Sequence, residues 1–458
     1  MSIPGLGNIQ VAAQETLTRT VALRPAAEWR FEVSVGSSIA LRVLSGTAEK
    51  DGVELALRTP YTFSGIKSKI LTWHGCELQI DGPCEQEHVA DFREPTANPA
   101  TSYINLHAKL DDMRQAARRE RREGPRILIA GPSHVGKTTL ARTLTSYCTR
   151  AGGQPIVVNA DPSEGMLSFA GTLSAGVFAT IMDPEAPDGW GTTPTSGPSS
   201  VPVKLPLVYY FGKQQPDEDP DFYRELSSKL ASAVSGRLSE DEEVKSSGVI
   251  LDTAGLVEDD KTHTELLAHV VDEFSVNIVV VLGSPRMHAA LTGRFMNEKT
   301  SLGEPIQVIS LDKSDGAGER SEALMQRARE ATIKEYFFGD GKRTLSPQIQ
   351  QVETGSLVIY SVPGLSSSPT QMGDEVTLVR EQGGASSPME HWALAVMHAS
   401  LKDPPDVIRA ASVMGFVYVS DVDEDKGKVK VLAPVSGRLG DRPLVWGMWP
   451  EPFINLLG

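Results

Sequence analysis

Cysteine is nearly missing from this chain: Cys76, Cys84 and Cys148 are the three in 458 residues, at spacings that fit neither a metal knuckle nor a disulfide framework. That scarcity excludes a fold stapled by bridges and points to reduced thiols in a cytosolic or nuclear setting. Long apolar runs are missing too. Stretches such as 278–282 and 392–397 fall far short of the roughly 20 residues a bilayer-spanning helix needs, so no contact with membrane is expected. The opening MSIPGLGNIQ has no basic stretch followed by an apolar one, and a secretory signal is not expected either. Positive charge is in deficit. A formal net charge of −15 excludes a surface that wraps long nucleic acid, because such binding draws on Lys and Arg displacing counterions at phosphates. Any RNA contact must be local.

What is present is the composition of an ordinary globular protein, with room for about three domains. Residues 1–100 read as an amino-terminal β-sandwich domain: Phe31, Val33 and Val35 alternate with polar residues, Ile39, Leu41 and Val43 repeat the scheme, and turn residues recur at Gly36–Ser38, Ser45–Gly46, Ser64–Gly65 and Asp81–Pro83. After a linker, 103–122 is a helix whose arginines at 114, 118, 119, 121 and 122 read as a solvated face. From 101 to 339 apolar β runs alternate with helical patterns, which means α/β architecture with a mostly parallel sheet. Expected strands are 127–130, 156–158, 207–211, 249–251 and 276–282, with helices from Thr138, from about Phe222 and from Glu265. Residues 183–206 and 215–221 read as surface loops. Residues 340–458 return to short strands, expected at 356–362, 375–379, 415–419 and 428–432, a carboxy-terminal β-rich domain with flexible stretches at 363–373 and 382–387.

The decisive segment is ILIAGPSHVGKTTL, residues 127–140. An apolar strand leads into Gly131, Pro132, Ser133, His134, Val135 and Gly136, followed by Lys137, Thr138 and Thr139. Glycines let successive backbone amides turn toward one anion, and the helix that starts here adds the positive end of its dipole. Lys137 is expected on the β and γ phosphates of ATP and the Thr138 hydroxyl on Mg²⁺, as in a P-loop NTPase domain. In VILDTAG, 249–255, Asp252 ends an apolar strand where it can hold the metal through a water. In IVVNADPSEG, 156–165, Asp161 follows the next strand. It can orient the metal, accept a proton from an attacking hydroxyl, or simply cap the following turn.

Beyond the P-loop, the stretches AEWRFEV (27–33), LTWHGCELQI (71–80), LPLVYYFG (205–212), VNIVVVLGSPRM (276–287), IKEYFFG (333–339) and AASVMGFVYVSDVD (410–423) give a resemblance over nearly the whole chain. The sequence resembles the eukaryotic polynucleotide 5′-hydroxyl kinase family, most closely its fungal branch, the ATP-binding subunit of pre-mRNA cleavage and polyadenylation factor IA. The resemblance implies that Glu28 and Lys67 contact the adenine. It implies a nuclear address, and as partners the termination-factor scaffold subunit of cleavage factor IA with other 3′-end processing subunits.

The same resemblance exposes departures. Active kinases carry a Trp after the Thr-X-Gly that here reads Thr253, Ala254, Gly255; this chain has Leu256, which offers no π face for a base, a contact worth about 1–3 kcal/mol. Active members also place two arginines four apart on a lid helix, where this chain has Met325 and Arg329. Losing one such finger costs about 10³-fold or more in phosphoryl transfer while ground-state ATP binding survives. Glu164 stands where a Gln is usual. Arg320 and Arg327 remain beside Arg329, and unaided they read as a solvated helix face. The expectation is therefore a structural subunit that holds ATP without efficient turnover. The alternatives are an active RNA 5′-hydroxyl kinase, with Asp161 as base and Arg329 as charge stabiliser, and a GTPase-like switch, for which Asp252–Gly255 matches DxxG and Asp312–Asp315 weakly matches NKxD.

Overall fold

A computed structural model of the chain describes residues 18–92, 94–186, 190, 206–339, 344–363, 365, 378–435, 437 and 439–457. Two compact units emerge, the smaller built from residues up to Lys50 and from Glu54 to Pro95, the larger from Asp51–Val53 and from Thr96 onward.

The smaller unit is organised by one long strand. The first sheet comprises β1 (Thr18–Leu23), β2 (Glu28–Gly46), β3 (Glu49–Lys50), β4 (Val53–Glu54), β5 (Tyr61–Leu71), β6 (Cys76–Asp81) and β7 (Gln86–Ala90), in the order β1-β6-β2-β5-β3-β4 with β7 also on β2. Its pairings among β1, β2, β5, β6 and β7 are antiparallel. Odd-numbered residues of β2 form the core, with Trp29, Phe31, Val33, Ile39, Leu41 and Val43 all buried, as period-two patterning requires. Val35 breaks the expected series: it is 50% exposed, because the β2–β5 register shifts between Val33 and Ser38 and the strand turns there through Gly36, at φ 90°.

The larger unit is doubly wound. Its elements run α1 (Pro99–Glu120), β8 (Arg126–Ala130), α2 (Lys137–Arg150), β9 (Ile156–Ala160), β10 (Thr172–Val177), β11 (Leu207–Tyr210), α3 (Pro220–Glu240), α4 (Glu242–Ser247), β12 (Val249–Thr253), α5 (Lys261–Glu273), β13 (Ile278–Leu282), α6 (Pro285–Phe295), β14 (Gln307–Leu311) and α7 (Glu322–Phe338). The sheet order is β11-β10-β9-β12-β8-β13-β14. Strands β9, β12, β8, β13 and β14 are parallel, and β10 is antiparallel to both β9 and β11. Alternate residues face opposite cores. Leu128, Val158, Leu251 and Val281 meet α3 and α5 through Leu226, Leu230, Leu266 and Val270. Ile127, Ile129, Val157 and Val280 meet α1 and α2 through Leu106, Leu110, Leu140 and Leu144.

Several expectations shift. Helix α5 begins four residues before Glu265, at Lys261, because Asp260 caps it by accepting from the His263 amide at 3.1 Å. Residues 215–221 are not all loop: 216–218 form a 3-10 turn and α3 starts at Pro220. Of the arginines in 103–122, Arg114 is not solvated: it is 5% exposed and donates through Nε to the Ser247 carbonyl at 2.9 Å. The others are exposed. Most of the expected loops 183–206 and 363–373, and residues 375–377, lie outside the described residues.

The third sheet completes the larger unit, with β15 (Gln348–Glu353), β16 (Ile359–Ser361), β17 (Val379–Arg380), β18 (Ala393–Met397), a short α8 (Pro405–Arg409), β19 (Val413–Asp423), β20 (Lys428–Ala433) and β21 (Leu444–Trp446). The order is β15-β20-β19-β18-β21-β16-β17. The strand expected over 356–362 is only β16, preceded by a 3-10 turn at 354–356. One face of this sheet closes over α7: Phe416 and Tyr418 share an aromatic core with Tyr336 and Phe337 of the helix, with Phe169 and with Tyr210 of β11. None of the described helices is long and apolar enough to cross a membrane.

Candidate functional site

Parallel pairing decides where the chemistry gathers. Asp252 lies beside Ile129 and Thr253 beside Ala160, so the carboxyl ends of β8, β12 and β9 deliver Gly131, Asp252 and Asp161 to one edge of the sheet, where ligands of such folds collect. The turn after β8 is held by its surroundings. A Cβ at Gly131 would stand 2.7 Å from the Leu282 carbonyl, and its own carbonyl accepts from the Leu256 amide at 3.1 Å. His134 and Gly136 take positive φ, 61° and 95°. Gly136 is the N-cap of α2 and supplies no side-chain cap, which leaves the first-turn amides for an outside acceptor. Lys137 is buried and its Nζ donates to the Pro132 carbonyl at 2.9 Å. Pro132, Ser133, His134 and Val135 form the loop, with Ser133 and His134 exposed and Val135 buried, and Thr138 and Thr139 are half-buried in the first turn of α2.

Asp252 is the electrostatic centre. Burial pushes its carboxyl up to about 7, against the Thr138 hydrogen bond and the Lys137 charge that favour the anion. Its Oδ1 is buried without a hydrogen-bond partner. An orphaned carboxylate oxygen beside a threonine hydroxyl and an ammonium group suits a hard cation that keeps most of its ligands as water and phosphate. Among the described residues no group of three or more His, Cys, Asp or Glu could hold a metal unaided, and Mg²⁺ carried in with a nucleotide needs none.

Asp161 serves its own turn as well as the site. Its Oδ1 accepts from the Ser163 amide at 2.9 Å and the Ser163 hydroxyl at 2.6 Å, and Asn159 closes the same turn through Glu164 O. Burial, then the charge of Glu164, raise the Asp161 pKa, while Ser163 and Lys137 work the other way. Asp161, Glu164, Asp252 and Lys137 thus share one electrostatic field.

The elements expected to assist transfer are arranged differently. Leu256 is half-buried and packs against the core that contains Leu266, Leu267 and Tyr223, so its side chain is turned toward the fold. Gly255 has a packing reason: a Cβ there would meet Ser133 Oγ at 2.0 Å. Asp312 and Asp315 lie just past β14 on an exposed turn. Arg329 is 8% exposed. Its Nε donates to both oxygens of Glu451 at 3.0 and 2.9 Å, and one terminal nitrogen donates to Glu451 at 2.6 Å and to Glu322 at 2.7 Å. The guanidinium also lies over the Trp449 ring, 4.4 Å from its centroid. Arg320 and Arg327 are exposed. Sequence reasoning had no signal for Trp449 or Glu451, which lie more than 100 residues from α7.

In the smaller unit, Glu28 is fully buried and joined to Lys69 at 2.6 Å and Arg30 at 3.0 Å. Burial works to raise its pKa, but those two cations outweigh it and the carboxyl sits below its ordinary range. Lys67 lies opposite Glu32 on β5, 3.9 Å from it; Lys69, not Lys67, reaches Glu28.

Three family models match successive parts of the chain: the N-terminal beta-sandwich domain of polyadenylation factor over 22–117, the mRNA cleavage and polyadenylation factor CLP1 P-loop over 131–339, and the pre-mRNA cleavage complex II protein Clp1 over 345–451. An mRNA cleavage and polyadenylation factor clp1 of Botryotinia fuckeliana is 49% identical over 469 residues, and its counterpart in Pyricularia oryzae 49% over 465, each covering all of both chains. Among solved structures, a wild-type Clp1p–Pcf11p complex matches with a TM-score of 0.83 at 26% identity, covering 95% of this chain and 98% of that one. A second, described by an extended interface between Pcf11p and Clp1p and the basis of ATP loss in a glycine-to-arginine point mutant, matches with a TM-score of 0.83 at 27% identity, covering 95% and 99%.

Proposed function

The chain belongs to the Clp1 family of mRNA cleavage and polyadenylation factors, and on that footing we propose that it is a nuclear subunit that holds Mg²⁺-ATP without efficient turnover and docks a Pcf11-type scaffold subunit. One observation carries the reading: Lys137, Thr138 and Asp252 converge at the mouth of the P-loop, and a buried Asp252 oxygen there lacks a partner. A triphosphate with its metal supplies the acceptors that the first turn of α2 leaves open and the cation that Asp252 leaves unmet. Lys137 would neutralise phosphate charge, with Thr138 and Asp252 on the metal and Asp161 beside them. The adenine role that the resemblance implies for Glu28 and Lys67 is part of the proposal.

Retention rather than transfer is supported by what surrounds the phosphates. Bound Mg²⁺ would supply charge neutralisation along the phosphate tail. A kinase would add mobile positive charge over the transferring group, yet Arg329 is neutralised by two carboxylates. Asp161 is the candidate base for an active kinase, but one of its oxygens is committed to the Ser163 turn. Docking of a scaffold subunit is supported by the likeness to Clp1p solved with Pcf11p.

Two measurements on the purified protein test the reading. Nucleotide extracted after desalting is expected to be ATP at near one per chain, and to be lost in Lys137→Ala/Thr138→Ala; a wild-type protein that carries none refutes the holding role. Incubation with labelled ATP and a 5′-hydroxyl oligonucleotide is expected to leave the RNA unlabelled, whereas transfer on the order of 1 per second, ordinary for kinases, establishes the enzyme instead.

A further inference from the structure

The segment after β21 is seated by close backbone approaches. A Cβ at Gly447 would stand 2.3 Å from the Tyr210 hydroxyl, and one at Gly171, whose φ is 81°, would stand 2.4 Å from the Trp449 carbonyl. The Met448 amide donates to Gly212 O at 2.7 Å, and the Tyr210 hydroxyl donates to Trp449 O at 3.0 Å. The strap is thereby stitched to the β11 side of the central sheet.

From that seat two side chains reach in different directions. Trp449 donates through Nε1 to the Ser163 carbonyl at 3.2 Å, and Ser163 is the residue whose amide and hydroxyl hold Asp161. Glu451 takes the guanidinium of Arg329 in a two-point grip, Nε donating to Oε2 and a terminal nitrogen to Oε1, and that guanidinium lies on the Trp449 face. Planar bidentate pairing with stacking fixes orientation as well as distance. A continuous physical chain therefore runs from α7 through Arg329, Glu451 and Trp449 to the Asp161 turn, whose carboxylate shares the field of Lys137 and Asp252.

We infer that Arg329, Trp449 and Glu451 are positioning residues: they form a carboxy-terminal strap that sets the Asp161–Glu164 turn against the phosphate site and so controls how long nucleotide stays. The nucleotide part of this rests on the ATP-holding reading; the mechanical part does not.

The test uses the full chain and two variants with different lesions. Trp449→Phe keeps a ring for the guanidinium and removes the Nε1 donor; Glu451→Gln keeps the shape and weakens the grip. Amide hydrogen exchange in residues 161–166 is expected to rise at least about fivefold in both, with β8 and β12 unchanged, while the amino-terminal half of α7 loosens in Glu451→Gln alone. Release of ATP, followed by extraction after timed desalting, is expected to quicken about tenfold in both variants. Unchanged exchange in 161–166 in two folded variants overturns the strap, as does a rise spread evenly over the whole unit, which marks general destabilisation. If the wild-type protein carries no nucleotide, the ATP-holding reading fails by itself and the exchange comparison still decides the strap.

Discussion

The side chains at the P-loop and those aligned with phosphoryl transfer are treated in opposite ways by the rest of the molecule. On the phosphate side, the amides at the start of α2 have no side-chain cap and Asp252 keeps an oxygen without a partner. On the transfer side, Arg329 is matched by Glu451, Glu322 and Trp449, and Leu256 packs half-buried against the hydrophobic core. Capacity left open is capacity for a ligand, because buried polar groups are otherwise matched within the protein. Capacity already matched lends rigidity. The contrast teaches where to look for a ligand: open capacity lies at the start of α2 and on Asp252, while Arg329 and Leu256 are turned toward partners within the fold.

The largest expected effect breaks the contrast at Asp252. With its carboxyl raised to about 7, the folded protein binds more protons than the unfolded chain between the ordinary carboxylate range and neutrality. Stability contributed by the neutral acid is complete below that range and is lost as pH rises through the folded value. Each pKa unit is about 1.4 kcal/mol, so nucleotide-free protein is expected to lose on the order of 4 kcal/mol across this window. Urea unfolding as a function of pH should show the slope, and Asp252→Asn should flatten all but the part due to Asp161. A slope unchanged by the substitution removes Asp252 as its source.

Next in size is the phosphate grip. Lys137→Ala with Thr138→Ala removes charge-assisted contacts worth about 1.5–3 kcal/mol each, so ATP affinity should fall at least about 100-fold in calorimetric titration. Retained affinity would mean that the tail is held elsewhere. On the transfer side, Leu256→Trp sharpens the comparison: a ring that turns outward should improve single-stranded RNA binding about tenfold, within the range of base stacking. Filter binding with a 5′-hydroxyl oligonucleotide checks it, and no gain would mean the ring stays packed against the core beside Tyr223. The smallest effect is expected from Met325→Arg. With Arg329 still captured, one restored guanidinium should raise transfer to RNA less than about fivefold, far below the 10³-fold a free finger supplies; a large rise would show that Arg329 leaves Glu451 during turnover.

The parts of this arrangement that could be read along the chain are those whose cause is local. The P-loop declares itself within residues 131–138, and the strands that deliver Asp252 and Asp161 are short apolar runs ending in a carboxylate. Strand β10 was not legible because TLSAGV is buried with small residues and has no alternation. Helix α6 was missed although Ser284 caps it and Pro285 opens it, a start signal present in the sequence. Arg114 looked like its solvated neighbours, since burial depends on α4 packing across it through Ser247. Arg329 is the clearest case. Its role depends on Glu451, 122 residues further on, and no periodicity or motif reports a partner at that distance.

The aromatic cluster beneath the third sheet has a consequence for damaged genes. Phe169, Tyr210, Tyr336 and Phe337 pack against Phe416 and Tyr418, so a message truncated before β19 would strip those two rings from the aromatic core and leave part of it open to water. Such a product should be met by chaperones and proteases as a sticky fragment. Cells carrying that lesion would lack the protein outright instead of accumulating a shortened form of it.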